Sequence, residues 1–202
     1  MPIRRAVREK REFIARIHDK YPGRTACIVG KGPSLDKIDQ IKDRMSECVV
    51  FCINESIHKV EALGLDPSVP LHVVQQDTRL HNTCVPKLPT TVHFLNRLIQ
   101  RTRYIRGHPP GWSPAAVMYH PHDLKVGATT LTAIIAIRIA KRMGISKFIL
   151  IGFDSWREGG SLEYAGCVGH SSGVLRQPER FLQQAGSIKR ELVGCEHEVI
   201  FL

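Results

Sequence analysis

The chain has 202 residues, a length that fits one globular domain and is short for two. Of these residues, 43% are hydrophobic and 24% are charged, proportions that are typical of a globular protein. It contains no apolar run of about 18 residues, so we expect no membrane span. The basic start, MPIRRAVREKREF, lacks the apolar centre of a secretion signal. The six cysteines include no C-x-x-C pair, which disfavours zinc and redox motifs and predicts free thiols in a reducing cytoplasm.

The charge balance is strongly basic, with 29 Lys and Arg against 19 Asp and Glu and a net charge of +10. Such an excess favours polyanionic partners such as phosphorylated metabolites or nucleic acid. It is concentrated in residues 1–22, a predicted amphipathic N-terminal helix, and in a segment with Arg97, Arg101, Arg103 and Arg106. A solvated basic helix packed on the domain is the favoured interpretation, and a nucleic-acid arm is the alternative.

Apolar strands alternate with helical segments along the chain. The predicted strands are TACIVG, CVVFCIN, PLHVVQQD, TVHFLN, AAVMYH, KFILIGFD and HEVIFL. Helices are predicted from about Pro33, over 57–63, within GATTLTAIIAIRIAKRMG and over 178–193, with Gly144 as a helix stop and a loop over 155–177. This alternation predicts a single α/β domain over 1–202, a Rossmann-like, doubly wound and mostly parallel sheet with helices on both faces.

The turn Gly30-Lys31-Gly32-Pro33-Ser34 follows the first strand, at the edge where such sheets bind ligands. Pro33 can occupy the first helical turn, whose backbone N–H groups would then face an anion. The spacing fits neither common phosphate motif. Lys31 comes too early for a Walker loop, and Leu35 and Asn54 replace the residues of a dinucleotide fingerprint. A tight turn and a nucleotide cradle both remain open.

Polar residues also end other predicted strands. Asn54 can bind a ribose or base, or it can cap the next helix. Asp77 and Asp154 can supply the acidic ligands of Mg²⁺, although Asp77 can equally cap a helix or pair with Arg79. These alternatives also remain open.

The segment YHPHD offers His120 and His122 at i, i+2, which in a strand would face the same side, with Asp123 next to them. No third ligand can be identified, so a metal site there is the weaker interpretation.

Four segments carry a resemblance to a known family: IVGKGPSLDKID, FCINESI, GATTLTAIIAIRIAKRMGISKFILIGFD and GHSSG. They occur in the order seen in the bacterial sialyltransferases of glycosyltransferase family 42. The first three also resemble a wider group that contains the archaeal 6-hydroxymethylpterin pyrophosphokinase (MptE-like) and the motility accessory factors. The similarity touches most of the chain from about residue 25 onwards.

The resemblance implies a site for a cytidine nucleotide-sugar. The implied nucleotide-binding residues are Gly30, Lys31, Gly32, Pro33, Ser34, Asn54, Thr129, Thr130 and Asp154, and the implied general base is His170. Lys31 stands where the family has Asn, so one nucleotide contact differs in kind.

The expected function is therefore transfer of a sugar from a CMP-type donor to a hydroxyl acceptor, with no required cofactor. His170 would take the acceptor's proton, a task that suits histidine near neutral pH. One alternative is an ATP- and Mg²⁺-dependent pyrophosphokinase-like enzyme with Asp77 as a metal ligand. Another is a non-catalytic protein that binds nucleotides or nucleic acid. The resemblance implies a bacterial, archaeal or phage origin.

Overall fold

The computed structural model describes residues 2–76, 84–96, 116–125, 131–156, 165 and 178–202, and the statements below concern these. Seven strands form one sheet: β1 (Thr25–Val29), β2 (Val49–Ile53), β3 (Leu71–Gln75), β4 (Val92–Asn96), β5 (Ala116–Tyr119), β6 (Lys147–Ile151) and β7 (Glu196–Ile200). Their order is β5-β4-β3-β2-β1-β6-β7, and every neighbouring pair is parallel. Six of them lie within the predicted strand segments, and β7 begins at Glu196, one residue before its predicted segment.

The α-helices are α1 (Pro2–Ile17), α2 (Lys42–Ser46), α3 (Ser56–Ala62), α4 (Thr132–Arg142) and α5 (Pro178–Glu191). One face of the sheet buries apolar side chains of α1, α4 and α5, and the other is covered by α2, α3 and the segment before α2. The strands β2 and β3 are buried at every position, which explains their continuous apolar sequence. The predicted doubly wound α/β fold is confirmed.

The segment after the first glycine turn is helical from Pro33, as predicted. It forms a 3₁₀ helix over Pro33–Ile41, and Lys37 within it has non-helical angles (φ −107°, ψ 18°). The α-helical turn α2 begins only at Lys42.

The end of α4 follows the prediction. Gly144 adopts a φ of +84°, and a Cβ there would lie 3.0 Å from the Cα of Pro22. Both conditions require glycine. The N-terminal helix packs through Phe13 and Ile17, which are fully buried, while Lys10 and Arg16 are exposed. Among the described helices, none is long and apolar enough to cross a bilayer.

The strand order fixes where a ligand crevice lies. From β1 the chain moves outwards through β2, β3, β4 and β5, and it then returns to β6 on the other side of β1. The order of strands therefore reverses between β1 and β6. In open parallel sheets ligands bind beyond the carboxyl ends of the strands at such a switch point.

Candidate functional site

Two glycine turns meet at the switch point. Gly30 donates its N–H to the carbonyl of Ile151 (2.7 Å), and Gly32 donates to the carbonyl of Gly152 (2.8 Å). A Cβ on Gly30 would overlap the Gly152 oxygen, and Gly152 itself has a φ of +74°. The glycines therefore serve a close backbone approach that joins the ends of β1 and β6.

Ser34 and Asp154 lock these two turns together. Ser34 is fully buried and donates both its N–H (3.1 and 3.2 Å) and its hydroxyl (2.5 Å) to the Asp154 carboxylate. The Ser34 hydroxyl also accepts from the N–H of Leu202, at 3.0 Å. Gly30, Gly32 and Ser34 all donate their N–H groups to protein oxygens, in the case of Ser34 to the Asp154 carboxylate, so these three groups are already occupied within the protein.

The side chain of Lys31 reaches the neighbouring strand end. Its Nζ lies 3.1 Å from Oε2 of Glu55, and the two side chains are only 14% and 10% exposed. A cation and its counter-ion thus lie largely buried at the carboxyl edge of β1 and β2. Taking charges out of water is costly, so such a pair needs close, well-aligned partners.

The position of Glu55 follows from the residue after it. Ser56 is fully buried, and its hydroxyl donates to the carbonyl of Val29 at 2.9 Å. This bond ties the turn after β2 to the last residue of β1. Glu55, one position earlier, is thereby held beside Lys31.

Asn54 provides an unused acceptor at the same edge. Its φ is +53°, the left-handed conformation that asparagine tolerates better than most residues. It is 6% exposed, and within the described parts of the chain its Oδ1 is buried without a hydrogen-bond partner. The helix-cap alternative is not what the structure shows, since α3 starts at Ser56 with Glu55 as its N-cap and no side-chain cap bond. A buried unpaired acceptor is unfavourable unless a ligand or water donates to it.

One residue of the predicted 155–177 loop is fixed against this site. Ala165 is fully buried, and its N–H donates to the carbonyl of Lys31 at 2.7 Å. The backbone of Lys31 therefore holds this point of the loop while its side chain reaches Glu55.

The comparisons with known proteins address the family. A family model described as 6-hydroxymethylpterin diphosphokinase MptE-like matches residues 4–157, which is most of the chain. The chain belongs to the MptE-like family. The match spans the glycine turn, Asn54 and Asp154. It confirms the MptE-like part of the resemblance and does not extend to the sialyltransferases. No curated protein matches the chain.

In this MptE-like chain, the predicted site residues fall into two groups. The structure brings Gly30, Lys31, Gly32, Pro33, Ser34, Asn54 and Asp154 to the carboxyl ends of β1, β2 and β6. The second group lies outside the described residues: Asp77, Arg79, Thr129, Thr130, His170 and the four arginines Arg97, Arg101, Arg103 and Arg106.

The histidines of YHPHD have local partners. Pro121–Leu124 is a 3₁₀ helix rather than a strand, yet the rings of His120 and His122 lie on a common side and stack with their centroids 4.9 Å apart. Nδ1 of His120 accepts from the N–H of His122 at 3.2 Å, and Asp123 accepts from the N–H of His120. Within the described ranges no group of three His, Cys, Asp or Glu residues could hold a metal ion. These residues cap a short helix after β5.

The thiol groups of Cys27 and Cys52 belong to the hydrophobic core. Cys27 and Cys52 lie on adjacent strands, and burial raises the pKa of both well above the ordinary value. Because only the thiolate is a good nucleophile, these buried side chains are inert.

Sequence reasoning did not single out Glu55 or Ser56. The available signal was Glu55, an acidic residue directly after Asn54 at the end of β2, while Lys31 follows β1. Reading it as a partner for Lys31 requires knowing that β1 and β2 are neighbours.

Proposed function

We propose that the chain is a nucleotide-dependent transferase that binds its donor at the carboxyl ends of β1 and β2. The observation that carries this proposal is Asn54, whose buried Oδ1 lacks a partner within the described residues. The acceptor lies on the same turn as Glu55, which contacts the Lys31 ammonium. A ligand that matches both groups has a hydrogen-bond donor and a negative charge. A nucleoside phosphate has both, in its ribose hydroxyls or base amine and in its phosphate.

The first candidate reaction is glycosyl transfer from a CMP-type donor. The acceptor hydroxyl gives its proton to His170, its oxygen bonds to the anomeric carbon, and the bond from that carbon to the phosphate oxygen breaks. The departing phosphate keeps the electron pair, and Lys31 stabilises that charge. His170 lies outside the described residues, and its role as the base is what the resemblance implies.

The second candidate is diphosphoryl transfer, which the printed description of the family model favours. Here a hydroxyl of the acceptor would attack the β-phosphorus of ATP and release AMP. Of the two aspartates expected to hold Mg²⁺, Asp154 accepts from Ser34 with both oxygens, and Asp77 lies outside the described residues. The described residues therefore do not make up a magnesium site.

Thermal stabilisation by ligands distinguishes the two reactions, because a ligand that binds only the folded state raises its apparent stability. The panel consists of CMP, CDP, UDP, ADP and ATP, each with Mg²⁺ and with EDTA. A preference for CMP that is independent of Mg²⁺ supports glycosyl transfer, whereas ATP binding that needs Mg²⁺ supports diphosphoryl transfer. If none of the five stabilises the protein, the nucleotide proposal is wrong.

Turnover separates a transferase from a binding protein. Under the first candidate, incubation with a CMP-sugar and a panel of hydroxyl acceptors releases CMP, and His170→Ala abolishes the release while CMP still binds. Under the second, ATP is converted to AMP in the presence of a pterin alcohol. Binding without either product would make the chain a nucleotide-binding protein rather than an enzyme.

A further inference from the structure

The pair formed by Lys31 and Glu55 has no evident purpose in holding the fold. The ends of β1 and β6 are already joined by the glycine turns and by Ser34 with Asp154. The ends of β1 and β2 are joined by the strand pairing and by Ser56. Replacing a buried ion pair with apolar residues is often neutral for stability, so such a pair is weak evidence for a stabilising role.

We propose that Glu55 is a specificity-determining counter-ion that occupies the place of a ligand phosphate at Lys31. This inference rests on the proposed nucleotide site, and it names what that site selects. The Glu55 carboxylate lies 3.1 Å from Nζ, the distance at which a phosphate oxygen would bind. It therefore neutralises Lys31 when no ligand is bound.

A bound nucleotide must meet this carboxylate as well as the lysine. A phosphate that approaches Lys31 comes within a few ångströms of Glu55, whose negative charge repels it. The two side chains are 86% or more shielded from solvent, since their exposures are 14% and 10%, so the repulsion is weakly screened by salt. The repulsion grows with the number of phosphate charges that lie near the pair.

The consequence is a filter on phosphate charge. One phosphate can replace the Glu55 carboxylate as the partner of Lys31. A di- or triphosphate brings further negative charges close to Glu55, which by then has lost its contact with Lys31. Glu55 thus favours donors with a single phosphate next to Lys31 over polyphosphates. Asn54, on the same turn, binds the uncharged part of the ligand through its Oδ1, which lacks a partner within the described residues.

The test uses Glu55→Gln, which keeps the shape and removes the charge. Affinities of the full chain are measured by titration calorimetry, first in EDTA and then with Mg²⁺, for cytidine, CMP, CDP and CTP and for the four adenosine analogues. We expect no change for the nucleosides and a gain that rises with phosphate number, reaching about tenfold for the triphosphates. Lys31→Met should weaken binding of every phosphorylated ligand and leave the nucleosides unchanged.

Two further variants keep the result interpretable. Glu196→Gln makes the same change in net charge at an exposed position at the start of β7, the opposite edge of the sheet, and it should alter none of the affinities. Lys31→Met combined with Glu55→Gln removes the pair without leaving a lone charge, and it should bind phosphates no better than Lys31→Met alone. Unfolding midpoints of all variants show whether each is folded.

The outcomes separate this inference from the proposed function. If the wild type binds nucleotides and Glu55→Gln binds the whole series with unchanged or uniformly reduced affinity, Glu55 is not a counter-ion filter, while the nucleotide site stands. A loss in Glu55→Gln that occurs only with Mg²⁺ would make it a metal ligand and overturn the inference. If the wild type binds no member of either series, both proposals are wrong.

Discussion

Ser34 and Asp154 are 120 residues apart, and Asp154 accepts both the N–H and the hydroxyl of Ser34. This relationship joins two of the sequence motifs that carry the family resemblance, G-x-G-P-S-L and I-G-F-D. It also explains the glycines beside them, because the turns must touch before the serine can reach the aspartate. The two motifs therefore form one contact, between the turns after β1 and β6, at the switch point of the sheet.

The first prediction concerns how much the contact between Ser34 and Asp154 contributes to the stability of the protein. Asp154→Ala leaves the buried N–H and hydroxyl of Ser34 without their acceptor, and it should lower the free energy of unfolding by about 3 kcal/mol. Asp154→Asn, which keeps one acceptor oxygen, should cost less. Urea unfolding measures both, with Asp39→Ala at an exposed position as the control. A stable Asp154→Asn protein that had lost nucleotide binding would instead make Asp154 a ligand residue.

The second prediction tests the contact between the glycine turns. Gly32→Ala places a Cβ against the Asp154 carboxylate and 2.9 Å from the Gly152 oxygen, so the turns must separate. We expect a loss of at least about 2 kcal/mol in the free energy of unfolding. The matched control is Gly186→Ala, where the nearest atom is 3.8 Å away on a flexible arginine. Because it lies within α5, that change should stabilise the protein by up to about 1 kcal/mol. Equal effects at the two sites would contradict the account.

The third prediction separates binding from folding at Asn54. Asn54→Gly removes the free acceptor but suits the φ of +53°, so the free energy of unfolding should change by less than about 1 kcal/mol. Nucleotide affinity should fall about tenfold, because the ligand's donor loses its partner. Calorimetric titration and urea unfolding measure the two effects on the same sample. Unchanged affinity would remove Asn54 from the site.

The fourth prediction is a pH dependence of stability that arises in the core. His72 is buried among Tyr21, Phe51 and Phe94, and burial lowers its pKa to about 3. Burial likewise lowers the pKa of His93 to about 4. In the unfolded chain both titrate near pH 6.5, so between about pH 6.5 and these values the unfolded state binds more protons. The free energy of unfolding therefore falls as the pH decreases, by up to about 1.4 kcal/mol per pH unit for each histidine.

His72→Phe tests this dependence directly. Phenylalanine fits an aromatic surrounding and cannot take up a proton, so the slope of stability between pH 6.5 and 4 should become smaller. His197→Gln, at an exposed position in β7, is the control and should leave the slope unchanged. An identical slope in wild type and His72→Phe would show that this histidine does not contribute.

Much of the fold is readable from the sequence because it depends on local signals. Strands β1 to β6 are short, largely apolar runs between turn residues, and Gly144 marks the end of α4 through its own backbone conformation. The 3₁₀ form of Pro33–Ile41 was not predictable in the same way. An α-helix and a 3₁₀ helix share start signals such as a proline in the first turn, so the sequence predicts a helix here without its type.

The edge of the sheet at which the candidate site lies was predictable, but the contacts between its residues were not. Strand ends identify the edge, and they brought Lys31, Asn54 and Asp154 to attention. The role of Asp154 depends on a serine 120 residues away, so its sequence context suggested a ligand rather than an internal partner. Glu55 was missed because its pairing with Lys31 becomes visible only once β1 and β2 are known to be neighbours.

The most direct test of the central claim is a crystal structure of the protein with the nucleotide that stabilises it most. We expect a phosphate oxygen within hydrogen-bond distance of the Lys31 Nζ, Glu55 displaced from it, and a ligand hydroxyl or amine donating to Oδ1 of Asn54. A nucleotide bound elsewhere, with the contact between Lys31 and Glu55 intact and Oδ1 of Asn54 without a ligand donor, would contradict it.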